Sequence, residues 1–185
     1  MTQKTQHSHF RIEPLDACHD RAAFSCGIEE LDRYLRKQAG QDLKKRVAAV
    51  FVATADGSTA AGFYTLSAHM LHVGELPAAV AKKLPRYPNV PVTLLGRLAV
   101  SKEFQGQGLG ELLLMDALRQ SLLGSQLVAS AAVVVDSKND EARRFYEKYD
   151  FIPLPSNPTR LFYPMKTIAA LFPSDAPLPL DKPKS

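Results

Sequence analysis

The sequence predicts one mixed α/β domain with a sheet that is parallel at least in its centre. Strand patterns and helix patterns alternate along most of the chain, as they do in this class of fold. Two near-continuous apolar runs, 92–100 and 127–135, are typical of strands buried on both faces. With 185 residues and a hydrophobic content of 45%, the chain is long enough to bury one sizeable core.

The N-terminal part predicts three strands and one helix. Residues 10–15 have the pattern of a short strand. The runs 47–55 and 60–72 are joined by a turn containing Asp56-Gly57, which predicts two antiparallel neighbours. Between the first strand and this pair, the segment "CGIEELDRYLRKQAGQDLKKRV" has helical spacing of apolar residues, at Ile28, Leu31, Leu35 and Ala39.

The central part alternates helices with the two apolar strands. A short helix or turn begins near Pro77 and is closed by Pro85 and Pro88. The strand 92–100 leads through a glycine-rich segment into a helix over 109–123, and the strand 127–135 follows it.

The C-terminal part predicts one more helix and two closing strands. The helix covers 139–149, with Asp136 or Ser137 as its candidate cap. The strands cover 151–154 and 160–166. Residues 1–9 and 173–185 are expected to be flexible termini, which leaves a domain over 10–167.

Composition excludes several classes of protein. The formal charge of +4 permits a polyanionic partner without demanding one. Cys18 and Cys26 have neither CxxC nor Cys/His spacing, and His69 and His72 face opposite sides of a strand, so no metal is expected. No segment resembles a signal peptide or reaches the roughly 18 apolar residues of a membrane span, so a cytoplasmic protein is expected.

The segment from Gln105 to Gly110 predicts an anion site. A helix that begins just after a buried strand leaves its first N–H groups without intrahelical partners, and its dipole adds roughly half a positive charge there. Alternating glycines allow positive φ angles and close approach of phosphate oxygens. The spacing matches neither a P-loop nor a dinucleotide fingerprint. The plain alternative is a tight turn that uses glycine only for its geometry.

Two motifs resemble those of the GNAT acyltransferase superfamily. Gln105-x-x-Gly108-x-Gly110 after the strand "LLGRLAV" is similar to its pyrophosphate loop, and "NDEARRFYEKYDF" is similar to its second landmark. Asp150 replaces the usual glycine there, and because Asp tolerates the left-handed conformation the turn is expected to survive. The resemblance implies the acyl-CoA N-acyltransferase fold, with a mixed central sheet and a splayed parallel strand pair flanked by helices.

Three further segments, "FSCGIEELDRYL", "AGFYTLS" and "LLGRLAV", make the chain look like the TacT-like acetylating toxins of type II toxin-antitoxin modules over residues 10–167. This resemblance implies a toxin that uses acetyl-CoA to acetylate the α-amine of aminoacyl-tRNA and so blocks translation. It also implies a ribbon-helix-helix antitoxin as partner, and operator DNA bound only through the antitoxin complex.

The resemblance also implies roles for individual residues. Tyr146 matches the general acid that protonates the departing thiolate, and an α-amine of pKa about 7.7 to 8.0 needs no strong general base. Asn139 either starts its helix or reaches the pantetheine arm. The expected acetyl-CoA contacts are Leu98, Ala99, Val100, Gln105, Gly106, Gln107, Gly108, Leu109, Gly110 and Asn139.

Basic residues supply the expected tRNA surface, although a charge run is more commonly a solvated helix face. Arg97 lies inside an apolar strand and therefore either pairs with a carboxylate or points into the substrate cleft. The expected tRNA contacts are Arg36, Lys37, Lys44, Lys45, Arg46, Arg97, Arg143 and Arg144.

Two other functions stay open on the sequence. A GNAT enzyme for small-molecule or protein amines would not need the basic helices. A non-catalytic CoA-binding or corepressor module would not need the Tyr146 hydroxyl. A homodimer is expected from the relatives, with the apolar stretch 71–84 as a candidate interface.

Overall fold

The computed structural model describes residues 9–175. They form two compact units, residues 9–67 with 95–117 and residues 68–94 with 118–175. The elements in chain order are β1 (Arg11–Pro14), α1 (Glu29–Arg33), a π-helical turn (Tyr34–Gln38), α2 (Ala39–Lys44), β2 (Ala49–Thr54), β3 (Gly62–His72), a 3-10 turn (Val73–Glu75), α3 (Ala78–Ala81), β4 (Asn89–Val100), a 3-10 turn (Lys102–Phe104), α4 (Leu109–Ser125), β5 (Ala132–Asp136), α5 (Asp140–Lys148), β6 (Ile152–Leu154), β7 (Asn157–Pro164) and α6 (Met165–Leu171).

The first unit has the strand order β1-β2-β3-β4. β1 pairs antiparallel with β2, and β2 pairs antiparallel with β3, with Val52 opposite Phe63. This confirms that the predicted strands 47–55 and 60–72 are antiparallel neighbours. Their inward side chains pack with the N-terminal helices around Phe24, Tyr34 and Leu35, all of which are buried.

The predicted helix over 26–47 is present, but a π-helical turn interrupts it between α1 and α2. The wider turn places both Tyr34 and Leu35 in the core of the unit. The Tyr34 hydroxyl donates a hydrogen bond to Asp42 at 3.0 Å. Periodicity alone does not predict this irregularity, because a single π turn changes the helical spacing by only one residue.

The second unit continues through β3 and β4 to β5, β7 and β6. β4 and β5 run parallel, as expected for the centre of the sheet, and the Ala131 N–H donates to the Pro91 carbonyl at 2.8 Å. β5 and β7 are antiparallel, with Val134 opposite Phe162. Their apolar faces pack with Leu71, Leu76 and other side chains into the core of this unit.

The predicted start of the second central strand is wrong. β5 begins at Ala132 and not at 127, because the N–H groups of Leu127 and Val128 bond back to the Gly124 carbonyl and extend the end of α4 as a turn. Leu127 and Val128 are 91% and 76% exposed. In β4 the fully buried residues Val90 and Val92 lie on one face of the strand and Leu95 and Ala99 on the other, so both faces bury side chains, with half-buried and exposed residues between them.

The C-terminal part differs from the prediction in two further places. Asn139, and neither Asp136 nor Ser137, caps α5, because the Asp136 carboxylate is held by Arg160 and the Ser137 hydroxyl donates to the Thr159 carbonyl. The predicted strand 160–166 ends at Pro164, and the short helix α6 follows. Seven residues are too few for a helical period to stand out from the sequence.

The expected flexible termini fall mostly on residues 1–8 and 176–185, which lie outside the described residues. Residues 173–175 are described, and the Asp175 carboxylate pairs with Arg119 at 2.7 Å. None of the helices within residues 9–175 is long and apolar enough to cross a membrane.

Candidate active site

The glycine segment of the first unit adopts the backbone that its sequence requires. Gly106 and Gly108 have φ angles of 76° and 79°, in the region that side chains with a Cβ rarely enter. The position of a Cβ on either glycine faces open space, with no atom within 4 Å. The glycines are therefore needed for the turn itself, and they leave the main chain accessible. Gly110 lies in the first turn of α4.

The start of α4 supplies unpaired N–H groups beside these glycines. The Leu112 N–H donates to the Gly108 carbonyl at 3.2 Å, and this is the first bond of the helix. The N–H groups of Leu109, Gly110 and Glu111 precede it and so have no carbonyl one turn back within the helix. With 17 residues, α4 carries the full dipole of a helix. This geometry is suited to hold an anion.

Two glutamines hold the segment in place. The Gln105 amide nitrogen donates to the Val100 carbonyl at 2.9 Å and to the Cys26 carbonyl at 3.0 Å. The Gln107 amide nitrogen donates to the Glu103 carbonyl at 3.2 Å. The Val100 carbonyl thus has a partner inside the protein, while Leu98 and Val100 are half-buried and Ala99 is buried.

Tyr146 lies on α5 in the second unit. Its ring is buried against Phe145 and Phe151, with ring centroids 5.2 and 5.3 Å away. Its hydroxyl has no hydrogen-bond partner within residues 9–175, and it is not completely enclosed, because no fully buried side-chain oxygen or nitrogen in that range lacks a partner. Burial of the ring raises the pKa of the Tyr146 phenol, so the phenol keeps its proton at neutral pH.

The helix that carries Tyr146 is fixed at both ends. The Asn139 side chain accepts a hydrogen bond from the Ala142 N–H at 2.8 Å, so Asn139 acts as the N-cap. At the other end Asp150 has a φ angle of 69°, which confirms that Asp takes over the left-handed position of the family's glycine. The N–H groups of Tyr149 and Phe151 both donate to the Tyr146 carbonyl.

Two of the arginines expected to bind tRNA have partners inside the first unit. The Arg97 guanidinium lies 3.6 Å from the centroid of the Tyr34 ring, a cation–π contact that accounts for an arginine inside this strand. Burial and the hydrogen bond to Asp42 raise the pKa of Tyr34 to about 12. Arg36 donates through Nε to the Phe24 carbonyl at 3.0 Å, and its Nη2 contacts the same oxygen.

The remaining expected tRNA contacts are exposed, or nearly so. In the first unit Lys37 and the run from Lys44 to Arg46 are exposed, and Arg46 has a left-handed backbone. In the second unit Arg144 is exposed. Arg143 is half-buried and pairs with Glu147 one helical turn later at 2.9 Å.

Other reactive side chains have structural partners. Burial and a hydrogen bond with Asp32 raise the pKa of the Cys26 thiol to about 11, which keeps the thiol protonated at neutral pH.

Glu13, Cys18 and His19 place potential metal-ligand atoms within 4.8 Å of one another, which their sequence spacing did not suggest. The His19 ring accepts from the Asp16 N–H through Nδ1 and contacts Glu13 through Nε2, so a metal would have to displace one of these bonds.

One polar cluster was missed by the sequence analysis. At the end of β5, Asp136 forms a two-bond pair with Arg160 of β7, at 2.7 and 2.9 Å. Arg160 also lies 3.4 Å from the Nε2 atom of His69 on β3. These residues are 67 and 24 positions from Asp136 along the chain, so only strand pairing brings them together, and no local pattern indicates it.

The chain matches the family model described as Acetyltransferase (GNAT) domain over residues 46–153. It is 34% identical to "Probable toxin TacT" of Sinorhizobium fredii over 169 residues, which covers 86% of this chain and 93% of that protein. It is 38% identical to the "tRNA-acetylating toxin" of Mycobacterium tuberculosis over 152 residues, which covers 82% of this chain and 90% of that protein.

Solved structures of related toxins are also similar to this chain. AtaT complexed with acetyl-methionyl-tRNAfMet superposes with a TM-score of 0.82 at 32% identity, covering 89% of this chain and 99% of that one. A Tyr-to-Phe variant of AtaT bound to acetyl-CoA and the C-terminus of the antitoxin AtaR has a TM-score of 0.75 at 30% identity, with coverage of 89% and 99%. The AtaT-AtaR complex bound to DNA has a TM-score of 0.70 at 29% identity, with coverage of 88% and 99%. The chain belongs to the GNAT acetyltransferases, among the relatives of the toxins TacT, AtaT and KacT.

Proposed function

We propose that the protein is an acetyl-CoA-dependent toxin that acetylates the α-amine of aminoacyl-tRNA and so blocks translation. The observation that carries this proposal is 38% identity, over most of both chains, with a tRNA-acetylating toxin. AtaT, which has a similar fold, has been solved with acetyl-methionyl-tRNAfMet.

The loop of the first unit is suited to acetyl-CoA, which supplies the activated acetyl group. The positive φ angles of Gly106 and Gly108 and the free N–H groups at the start of α4 fit a pyrophosphate. Leu98, Ala99 and Val100 are proposed to bind the pantetheine and the thioester oxygen through their main chain, because the resemblance to the superfamily implies that β4 splays from β5 at this end. Gly106, Gln107, Gly108, Leu109 and Gly110 are proposed to bind the pyrophosphate.

Tyr146 is proposed to protonate the leaving thiolate. The α-amine nitrogen forms a bond to the acetyl carbon, and the carbon–sulfur bond breaks. The amine gives up one proton to water, the sulfur takes one proton from Tyr146, and the phenolate then regains a proton from solvent. A phenol whose pKa is raised by burial is fully protonated at neutral pH, and no residue in the range 9–175 competes for the Tyr146 proton through a hydrogen bond. The thiolate sulfur then accepts the proton as its negative charge develops.

The exposed basic residues are proposed to bind the tRNA backbone. Phosphate contacts release counterions, so they supply affinity without reading sequence. Lys37, Lys44, Lys45, Arg46 and Arg144 have side chains that are free to do this. Arg36, Arg97 and Arg143 already contact groups inside the protein. They are proposed to bind a phosphate as well, which would share or replace those contacts.

The proposed binding partners are inferred from the complexes of related toxins. A ribbon-helix-helix antitoxin is proposed to neutralise the toxin, and operator DNA is proposed to bind only to their complex. AtaT has been solved bound to the C-terminus of the antitoxin AtaR, and the AtaT-AtaR complex has been solved with DNA. Because charged tRNA is the proposed substrate, the protein is expected to act in the cytoplasm. No metal is proposed, because the acetyl transfer described above has no step that uses one. A homodimer is proposed, and light scattering should then give a mass near twice 20.3 kDa.

The decisive experiment incubates labelled acetyl-CoA with charged tRNA and compares the wild type with Tyr146→Phe. Mass spectrometry of the aminoacyl adenosine should place the label on the α-amine, and Tyr146→Phe should lower kcat by about 10² to 10⁴. Label transfer only to small amines or peptides would favour a different GNAT acceptor. CoA binding with no transfer, and no effect of Tyr146→Phe, would favour the non-catalytic module.

A further inference from the structure

The segment "FSCGIEELD" has no role in the proposed chemistry, yet its turn is held unusually firmly. We call residues 24–27 the strap. Each of its first three carbonyls accepts a hydrogen bond from a different part of the first unit. Arg36 donates to the Phe24 carbonyl, the Lys102 N–H donates to the Ser25 carbonyl at 2.8 Å, and the Gln105 amide donates to the Cys26 carbonyl at 3.0 Å.

The strap is anchored to the helix that follows it. The Cys26 N–H donates to the Asp32 carboxylate at 2.7 Å, and Asp32 is only 3% exposed. Gly27 has a φ angle of 98°, and a Cβ there would lie 3.1 Å from the Lys102 side chain. A buried carboxylate and a left-handed glycine therefore define the shape of the strap before it reaches the glycine loop.

The Gln105 side chain is fully used as a donor in this arrangement. A side-chain amide nitrogen carries two N–H groups, and those of Gln105 point to the carbonyls of Val100 and Cys26. None is left for a phosphate oxygen. Gln105 therefore ties the beginning of the glycine loop to the end of β4 and to the strap.

We propose that the strap is a positioning element for the acetyl-CoA loop, and that Gln105 is a positioning residue that does not itself contact acetyl-CoA. This revises the expected role of Gln105 as a ligand contact and rests on the acetyl-CoA part of the proposed function. It also assigns the Arg36 guanidinium to the strap, where it connects the basic helix region with the loop.

The test substitutes Gln105→Met, which keeps the length of the side chain and removes both N–H donors. The matched control is Gln126→Met, because the Gln126 amide also donates to a backbone carbonyl, that of Asp175. Two quantities are measured on the full chain: the Kd of CoA by calorimetry, and hydrogen exchange at the Cys26 and Lys102 amides without any nucleotide.

Gln105→Met should raise the Kd of CoA about tenfold, the effect of losing about one hydrogen bond's net free energy. In the free protein the Cys26 and Lys102 amides should exchange faster, and kcat at saturating acetyl-CoA should stay within about twofold. Gln126→Met should leave CoA affinity and both amides unchanged.

A second pair of variants tests the strap from its other side. Arg36→Met removes the clamp on the Phe24 carbonyl and should also weaken CoA binding severalfold, at low and high salt alike, whereas Arg36→Lys should restore part of the affinity. Weaker CoA binding by Gln105→Met with unchanged exchange in the free protein would show direct contact and overturn the inference. Unchanged CoA affinity in both variants would overturn it as well. If the wild type does not bind CoA at all, the proposed function itself fails.

Discussion

The ring and the hydroxyl of Tyr146 have different surroundings. The ring packs against Phe145 and Phe151, and this packing fixes the direction of the hydroxyl. The hydroxyl has no acceptor among the described residues, 9–175, and is not completely enclosed. This arrangement suits a proton donor. Because ring packing already fixes the side-chain rotamer, no further rotamer freedom is lost when the substrate binds.

The two cysteines are expected to differ in reactivity. Because the pKa of Cys26 is raised to about 11, about one Cys26 in a thousand is a thiolate at pH 8, whereas the exposed Cys18 is accessible to reagents. Iodoacetamide should therefore modify Cys18 first, and the rate at Cys26 should rise tenfold per pH unit until about pH 11. Peptide mapping over pH 7–10 measures both rates. Equal rates at pH 8 would contradict the buried, Asp32-bonded thiol.

Asp150 is expected to be sensitive to branching at Cβ. Its backbone is left-handed and its side chain is exposed, so substitutions act through conformation. Asp150→Val should lower the free energy of unfolding by about 1–2 kcal/mol, while Asp150→Gly and Asp150→Asn should be neutral or slightly stabilising. Urea denaturation measures the differences. A stable Asp150→Val variant would mean that the turn can readjust.

At the scale of elements, α5 depends on its cap. The helix has nine residues, too few to be stable alone, and its first turn is acidic while Lys148 lies in its last turn, which favours the dipole. Asn139 adds the one side-chain cap of this helix. The position of Tyr146 therefore depends on an interaction two turns before it.

Asn139→Ala should lower the free energy of unfolding by about 1 kcal/mol, and Asn139→Ser, which keeps a capping oxygen, should restore most of it. Thermal denaturation of the three proteins checks this. The Kd of CoA in the same variants separates the two roles of Asn139. If Asn139 is only a cap, Asn139→Ser should leave the Kd of CoA unchanged. If Asn139 also contacts the pantetheine arm, Asn139→Ser should raise the Kd of CoA although the helix keeps its cap.

At the scale of the whole molecule, the net charge of +4 is small, so any affinity for tRNA has to come from local clusters. Lys44 and Lys45 are adjacent and exposed at the end of α2, beside Arg46. Lys82 and Lys83 are an equally exposed pair in the second unit, at the end of α3.

Replacing Lys44 and Lys45 by Gln should weaken tRNA binding and reduce the slope of log K against log salt by roughly one to two, because about one counterion is released per phosphate contact. The same change at Lys82 and Lys83 should alter neither. Filter binding from 50 to 300 mM salt measures both slopes. Identical slopes in the two variants would point to nonspecific charge in place of a tRNA surface.

Much of the fold could be predicted because its signals are local. The turn at Asp56-Gly57, the glycines at 106 and 108 and the left-handed Asp150 each depend on backbone preferences of one or two residues, and each appears where the sequence places it. The false extension of β5 to Leu127 and the missed helix α6 show the limit. The sequence of an apolar run or of a seven-residue segment does not show which part of the fold it packs against, or whether it packs at all.

The sequence by itself determined the family, the order of the main elements and the positions of the glycine loop and Tyr146, because motifs and periodicity are properties of neighbouring residues. Only the tertiary structure decided which polar groups are free. It bonded Gln105 to the strap, placed Arg97 on the Tyr34 ring, joined Asp136 to Arg160 and left the Tyr146 hydroxyl without a partner in the part of the chain that the structure describes. Each of these outcomes depends on contacts between residues far apart in the chain, and hydrogen bonds saturate, so a donor engaged inside the protein is no longer available to a ligand.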